Sequence, residues 1–313
     1  MSGINVLSLF DGISCGQVAL QRARIKVNNY YASEIDKYAI SITQYNYPHT
    51  IQLGDVTTLS KTQIQSLGKI DLLIGGSPCQ SLSSVNVYLD KNEKGVNGTG
   101  KSRLFWEYVR VYNILKEINP NLKFLLENVG SASLEDREII DRELGVKGVA
   151  FNSHLLSAQN RNRIYWTNID FQIPIKRKEI YMKDIKENKV DDKYYLTQKM
   201  YDCIMTPGTK GWQSGKLEID LDIARPLLAT MHKMHRADTD NYISTDYKPK
   251  DKTNVRKLTP IECERLQTLQ DNYTKYGIEK EKVKIISDTR RYMALGNGWT
   301  VDVIAHILKN LYT

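Results

Sequence analysis

Ile4-Asn5-Val6-Leu7-Ser8-Leu9-Phe10-Asp11-Gly12-Ile13-Ser14-Cys15-Gly16 is the stretch from which the fold can be read. Ile4 to Phe10 is a short apolar run of strand length. Gly12 and Gly16 then punctuate a loop, and Gln17 to Arg24 starts a helix. A strand, a glycine loop and a helix in that order open a βαβ unit. In such a unit a ligand carboxylate or phosphate can approach the backbone amides at the helix N-terminus. Working outward, the rhythm repeats. Tyr30 to Ser33 reads as a strand and Lys37 to Tyr45 as a helix. Ile70 to Ile74 is a strand ending at Gly75-Gly76, and Phe105 to Ile118 has helical periodicity. Phe124 to Glu127 is a strand, Arg137 to Leu144 a helix, and Val149 to Leu156 and Ile164 to Thr167 are strands. Strands and helices alternating at this spacing predict an α/β fold. Its sheet is doubly wound and mostly parallel, with helices on both faces.

Two stretches break the rhythm. Residues 81–101 are polar and rich in Gly, Ser, Asn and Lys, and a run of this length in a compact domain points to a functional loop. Residues 171–255 are rich in Lys and Tyr and interrupted by Pro174, Pro207, Pro226 and Pro249. We expect residues 1–170 to form one domain, 171–255 a small second one, and 256–313 to return and complete the first. In that last segment Thr259-Pro260 looks like an N-cap with proline at the first helical position. Gly296 to Gly298 reads as a turn, and Val301 to Leu311 as a final helix.

Composition narrows the classes. Of 313 residues, 41% are hydrophobic and 26% charged, which is ordinary globular usage with enough apolar material for a sizeable core. No apolar run is long enough to span a membrane. MSGINVLSLFDG has neither a basic start nor a long apolar core, so no signal peptide is expected. Cys15, Cys79, Cys203 and Cys263 lie far apart, with no pairing suited to zinc. A reducing, cytoplasmic setting is the natural expectation. Lys plus Arg is 44 and Asp plus Glu is 36, a net charge of +8 that favours a polyanionic partner. The excess is spread along the chain, with no basic tail.

Several residues carry chemistry by type and place. Glu34 ends the second strand, where an acid in this fold hydrogen-bonds ribose hydroxyls. Asp55, beside Gly54, follows a short third strand predicted after the Lys37–Tyr45 helix. With the loop Phe10 to Gly16, these positions suit a nucleoside cofactor, although capped βα turns would look the same. Cys79, in Gly75-Gly76-Ser77-Pro78-Cys79-Gln80, sits at a strand's C-terminal end in a tight turn and opens the long polar loop. That placement fits an accessible nucleophile covered later by a lid.

FDGISCG, EID, GD, GGSPCQ, SRLFWE, ENV, QNRNR, LTPIECERLQ and LGNGWTV occur in this order from about residue 4 to 308. Together they resemble the DNA (cytosine-5)-methyltransferases. SAQNRNRIYWTN and the short insert look closest to the Dnmt3-like branch and its bacterial or phage relatives, while Asn297 follows the bacterial pattern. The resemblance implies an S-adenosylmethionine-dependent methyltransferase of Rossmann-like fold, releasing S-adenosylhomocysteine. It implies that Cys79 adds to cytosine C6, turning C5 into a nucleophile toward a sulfonium methyl. Glu127 matches the acid on the cytosine N3 edge, Arg163 the contact to O2, and Arg161 a partner that orders the site. For the cofactor, Phe10 matches the aromatic against adenine, and Asp11, Gly12, Ile13 and Cys15 line the methionine end. Glu34 matches the ribose ligand and Ile35 the apolar adenine contact. Asp55 and Val56 match the adenine amino edge, and Leu104, Asn297 and Trp299 further wall positions.

The implied partner is double-stranded DNA whose target base is flipped out of the helix. Gln80, Ser81, Lys94, Lys101 and Arg103 belong to the loop that would close over it and meet phosphates. The insert holds Arg225, Thr230 and Arg236, and arginine to guanine is the commonest specific base contact. A monomer is expected, with a cognate restriction endonuclease as an open question. Two rivals stand beside this reading. A tRNA cytosine-5 methyltransferase would carry a Cys-Phe-Thr element, which is absent. A catalytically inactive DNA-binding regulator would have lost Pro78-Cys79 or Glu34, and both are present.

Overall fold

The computed structural model describes residues 3–78, 95–206, 218–233, 236 and 239–312, with the backbone alone at 101 and 102. Packing divides the chain into two compact units. The first comprises Met1–Asn152, Asn162–Pro174 and Val301–Thr313, and the second Ser153–Arg161 and Ile175–Thr300. These limits differ from the compositional boundaries at 170 and 255, because residues 256–300 pack with the segment before them.

The first unit is built on a seven-stranded sheet. Its strands are β1 (Ile4–Leu9), β2 (Val27–Ser33), β3 (Ile51–Gln52), β4 (Leu72–Gly76), β5 (Lys123–Val129), β6 (Val149–Asn152) and β7 (Asn162–Thr167). The spatial order is β3-β2-β1-β4-β5-β7-β6. The first five are parallel to one another, and β7 pairs antiparallel with both β5 and β6. The crossovers are α1 (Cys15–Arg22), α2 (Lys37–Asn46), α3 (Lys61–Ser66), α4 (Phe105–Ile118) and α5 (Leu134–Leu144). Leu72, Leu73 and Ile74 on β4 are fully buried, as a central parallel strand covered on both faces requires. Helix α4 buries Phe105, Tyr108, Val109, Val111, Tyr112, Ile114 and Leu115, the i, i+3, i+4 stripe of an amphipathic helix. The strand order reverses between β1 and β4, so the loops after these two strands diverge at the topological switch point. Open α/β sheets bind ligands there.

The second unit has short elements. They are α6 (Met182–Ile185), α7 (Gln198–Met205), a β8 (Tyr242–Ser244)–β9 (Val255–Lys257) pair, α8 (Pro260–Leu266), a β10 (Tyr276–Glu279)–β11 (Lys282–Ile285) hairpin, and α9 (Asp288–Asn297). The cap of α8 is as the sequence predicts. Thr259 accepts from the Glu262 amide, Glu262 reciprocates, and proline occupies the first turn. Glu262 also holds Arg256 in a buried two-pronged pair, with Nη1–Oε2 2.8 Å and Nη2–Oε1 2.7 Å. Three expectations need correction. Gly296 lies in the last turn of α9 instead of opening a turn. The strand predicted over 149–156 stops at Asn152, where Ser153–Leu155 forms a 3₁₀ turn. The final helix ends at Leu308.

Candidate active site

The ends of β1, β2 and β3 are tied together by short-range bonds. The Asp11 amide donates to Ser33 O at 3.2 Å, and Leu53 N donates to Ala32 O at 2.8 Å. The Gly12 amide donates to Glu34 Oε2 at 2.8 Å, and Ser33 Oγ donates to Gly54 O at 2.7 Å. Gly12 has φ 58, Phe10 57 and Ser14 55, so the loop after β1 turns through the left-handed region. Non-glycine residues hold that conformation uncommonly. Asp11 is anchored beneath it, accepting from Tyr30 Oη at 2.7 Å and from Ser14 Oγ. Burial pushes the Asp11 carboxyl up to about 6, against the lowering effect of those hydrogen bonds.

Glu34 Oε1 accepts from the Ile35 and Asp36 amides, each at 2.8 Å. With Gly12 on the other oxygen, three backbone donors fix this carboxylate. A carboxylate offers about four acceptor sites, so it retains capacity for a hydroxyl. Ile35 beside it is 73% exposed, an apolar side chain with no role in the core. Asp55 caps a 3₁₀ turn (Val56–Thr58), and its Oδ1 accepts from Thr57 N at 2.9 Å and Thr57 Oγ1 at 2.8 Å. Val56, Ile13 and Cys15 are buried, and Leu104 is half-buried just before α4. A fixed acid, an exposed aliphatic side chain, a half-buried Phe10 and a capped acid on the next turn form a set of acceptors and apolar surfaces that fits a ribose and an adenine.

The second cluster lies at the ends of β4 and β5. Gly76 is in register with Glu127. Arg163, opposite Val129 on β7, reaches back so that its Nε lies 2.8 Å from Glu127 Oε1, with both side chains mostly buried. Arg163 Nη1 also donates to Asn162 O at 2.8 Å. Sequence reasoning passed over Asn128, whose Nδ2 donates to Ser77 Oγ at 3.0 Å while its Oδ1 accepts from Val129 N at 2.8 Å. Asn128 thereby holds the chain two residues before Cys79. The ENV motif contained the signal, because an amide next to a strand-end acid is a ready backbone clamp. Cys79, Gln80, Ser81 and Lys94 lie outside the described residues, as does the Lys101 side chain. Arg103 is exposed.

The remaining predicted residues belong to the second unit. Arg161 is 4% exposed. Its Nη1 donates to Leu227 O at 2.9 Å and its Nη2 to Gly296 O and Gly298 O, each at 3.1 Å. Gln159 adds a bond from Leu227 N to its Oε1 at 2.8 Å, and Gln267 Nε2 donates to Leu295 O at 2.7 Å. The QNR segment is thus the centre of a polar knot that fixes the backbone at 227 and 295–298. Asn297 is exposed at the end of α9, and Trp299 is half-buried after it. Arg225 and Arg236 converge on one aspartate. Arg225 Nη1 donates to Asp240 O at 3.1 Å, with its Nη2 on Glu218 Oε2 at 2.6 Å. Arg236 Nη2 donates to Asp240 Oδ1 at 2.9 Å. Thr230 is exposed in the adjoining turn.

Known proteins resemble this chain in sequence and in fold. Residues 4–313 match the sequence profile of the C-5 cytosine-specific DNA methylases. The type II methyltransferase M1.ScrFI of Lactococcus lactis subsp. cremoris is 30% identical, over 98% of this chain and 77% of that protein. The type II methyltransferase M.NlaX of Neisseria lactamica is 27% identical, over 98% of this chain and 95% of that protein. Among solved structures, the Entamoeba histolytica methyltransferase EhMeth superposes with a TM-score of 0.73 at 20% identity, covering 100% of this chain and 98% of that one. That likeness is one of fold alone. By sequence, motif order and fold, the chain belongs to the family of C-5 cytosine-specific DNA methylases.

Proposed function

We propose that this chain methylates C5 of a flipped-out cytosine in double-stranded DNA, with S-adenosylmethionine as cofactor and S-adenosylhomocysteine as product. The observation that carries this reading is the Glu127–Arg163 pair, in register with the strand that leads into Pro78-Cys79. When bound, the cofactor supplies an electrophilic methyl group. Phe10, Asp11, Gly12, Ile13, Cys15, Glu34, Ile35, Asp55, Val56, Leu104, Asn297 and Trp299 are proposed to hold it, Glu34 through the ribose and Asp55 through the adenine amino group. The Cys79 thiolate forms a bond to cytosine C6 and the displaced ring electrons move toward N3; once C5 carries the methyl group, loss of the C5 proton to solvent expels the thiolate and restores the ring. Glu127 shares a proton with N3 and offsets that charge. Arg163 has donors for O2 and also bonds Glu127, which keeps the acid oriented. Arg161 acts at one remove by fixing the 296–298 backbone.

Residues 171–255 are proposed to choose the DNA sequence. The loop after Cys79, with Gln80, Ser81, Lys94, Lys101 and Arg103, is proposed to meet the displaced base and the phosphates. The chain is taken to act as a cytoplasmic monomer, with or without a cognate endonuclease. The test is methylation sequencing of DNA from a methylation-free host expressing the chain, beside a Cys79→Ser control. C5 methylation at one short motif is expected with the wild type and none with the variant. Unmethylated DNA with an expressed, folded wild type overturns the proposal, and full methylation by the serine variant overturns the nucleophile.

A further inference from the structure

The turn that carries Asp55 and Val56 is short and lies at the edge of the sheet. A 3₁₀ turn of three residues has poorer internal hydrogen-bond geometry than an α-helix. Here its own bonds are Thr58 N to Asp55 O at 3.1 Å and Leu59 N to Val56 O at 3.3 Å. What grips it from outside is Arg110 on α4. Arg110 Nη1 donates to Leu59 O and Nη2 to Val56 O, each at 2.8 Å. Its Nε donates to Glu107 Oε2 at 2.8 Å, one turn earlier on the same helix. The guanidinium therefore spans the two carbonyls at the start and the end of the turn, and Glu107 sets its plane. A planar fork can do this, whereas an ammonium cannot bridge both carbonyls and a carboxylate in one geometry.

The clamp has a consequence for Asp55. Its Oδ1 is committed to Thr57, while Oδ2 makes no bond within the described residues. The direction of that remaining oxygen follows the turn, which is held by the buried Val56 and Leu59, by Thr58 Oγ1 donating to Asp55 O at 2.8 Å, and by Arg110 on its carbonyls. Helix α4 begins immediately after Leu104, so the same helix carries a second residue of the proposed adenine wall.

Resting on the cofactor reading above, we propose that Arg110 is a positioning residue for adenine recognition: it holds the Val56–Thr58 turn so that Asp55 Oδ2 accepts from the exocyclic amino group. The guanidinium need not touch the cofactor. It acts by removing alternative orientations of the turn, and its contribution is discrimination between a 6-amino and a 6-oxo purine.

The experiment compares binding of S-adenosyl-L-homocysteine and S-inosyl-L-homocysteine by calorimetry, in the wild type, Arg110→Ala, Arg110→Lys and Glu107→Gln. The wild type is expected to prefer the adenosyl compound. Both Arg110 variants should reduce that preference by about threefold to tenfold, the scale of one weakened hydrogen bond. Affinity for the inosyl compound should change less. Arg110→Lys should not rescue, and Glu107→Gln should move the preference the same way by a smaller factor. In the protein without ligand, amide exchange at 57–59 should accelerate in both Arg110 variants. That readout is independent of turnover, and the Glu107 variant keeps the test open if Arg110→Ala does not fold. An unchanged preference, unchanged exchange, or full rescue by lysine overturns the proposal. Wild-type binding of both compounds without preference also overturns it, by removing Asp55 from the adenine edge. Wild-type binding of neither compound sinks the cofactor reading itself.

Discussion

Asp11 bears a conflict that its surroundings only partly resolve. Burial raises its carboxyl from 3.8 to about 6, even with Tyr30 and Ser14 donating to it. The sign of the pH effect follows. Between pH 3.8 and about 6 the folded chain binds more protons than the unfolded chain, so stability grows as pH falls through that window. Above it, the folded state carries a buried charge whose cost is on the order of 3 kcal/mol. Asp11→Asn removes the charge and keeps the size. The melting temperature of the variant minus that of the wild type should be highest above pH 7 and should fall steadily toward pH 4. Thermal denaturation of both proteins across this range is the check, and a difference that is flat with pH would mean Asp11 does not titrate there. The proposed function gives the cost a purpose, because a cofactor ammonium near this carboxylate would stabilise the charged form that folding alone disfavours.

Gly296 shows how an element's end can be set by close approach instead of by turn chemistry. A Cβ there would lie 2.1 Å from Ala229 N and 2.3 Å from Leu228 C, both backbone atoms. Helix α9 therefore runs to Asn297 with its last turn pressed on the 228–229 backbone, and Arg161 and Gln267 bond the carbonyls around it. Gly296→Ala should destabilise the chain by about 1–3 kcal/mol or more, the usual cost of overpacking a site that cannot yield. Urea unfolding measures it, and a loss under 0.5 kcal/mol would mean that the 228–229 segment moves aside freely. The same residue marks where sequence reading failed. Gly296 and Gly298 read as a turn because glycine signals both flexibility and missing bulk, and a single chain does not separate the two. By contrast, β1 and the loop to α1, the cap at Thr259-Pro260 and the stripe of α4 were legible, because each depends on neighbours within one or two helical turns. The Glu127–Arg163 pair was legible only as motif residues, since 36 positions separate them in the chain. The Arg110 clamp left no local signal.

At the scale of the whole molecule, the compositional break at 171–255 and the compact units are different partitions. The break reflects what the segment presents, many Lys and Tyr residues with little repeating structure. The units reflect what packs together, and bonds such as Glu187 N to Glu262 Oε1 and Arg265 Nη1 to Ile185 O, each at 2.9 Å, draw residues 256–300 into the second one. A sequence-choosing role for 171–255 must therefore work from a part whose arginines already serve its own packing. Arg236 and Arg225 both hold Asp240, and Arg225 also holds Glu218. Arg236→Ala consequently has two separable effects. Asp240 loses a partner, which should lower the melting temperature modestly, since a partly exposed pair of this kind contributes about 1 kcal/mol or less. If Arg236 also reads a guanine, one position of the methylated motif should relax, with about 1–3 kcal/mol of discrimination lost there. Methylation sequencing of the variant, run below its melting temperature, separates the two. A short insert has room for few reading side chains, so a motif of about two to five base pairs is expected, with one position degenerate in the variant. A lowered melting temperature with an unchanged motif and unchanged relative site rates would show that the Arg236–Asp240 pair shapes the unit and that base reading belongs to other residues.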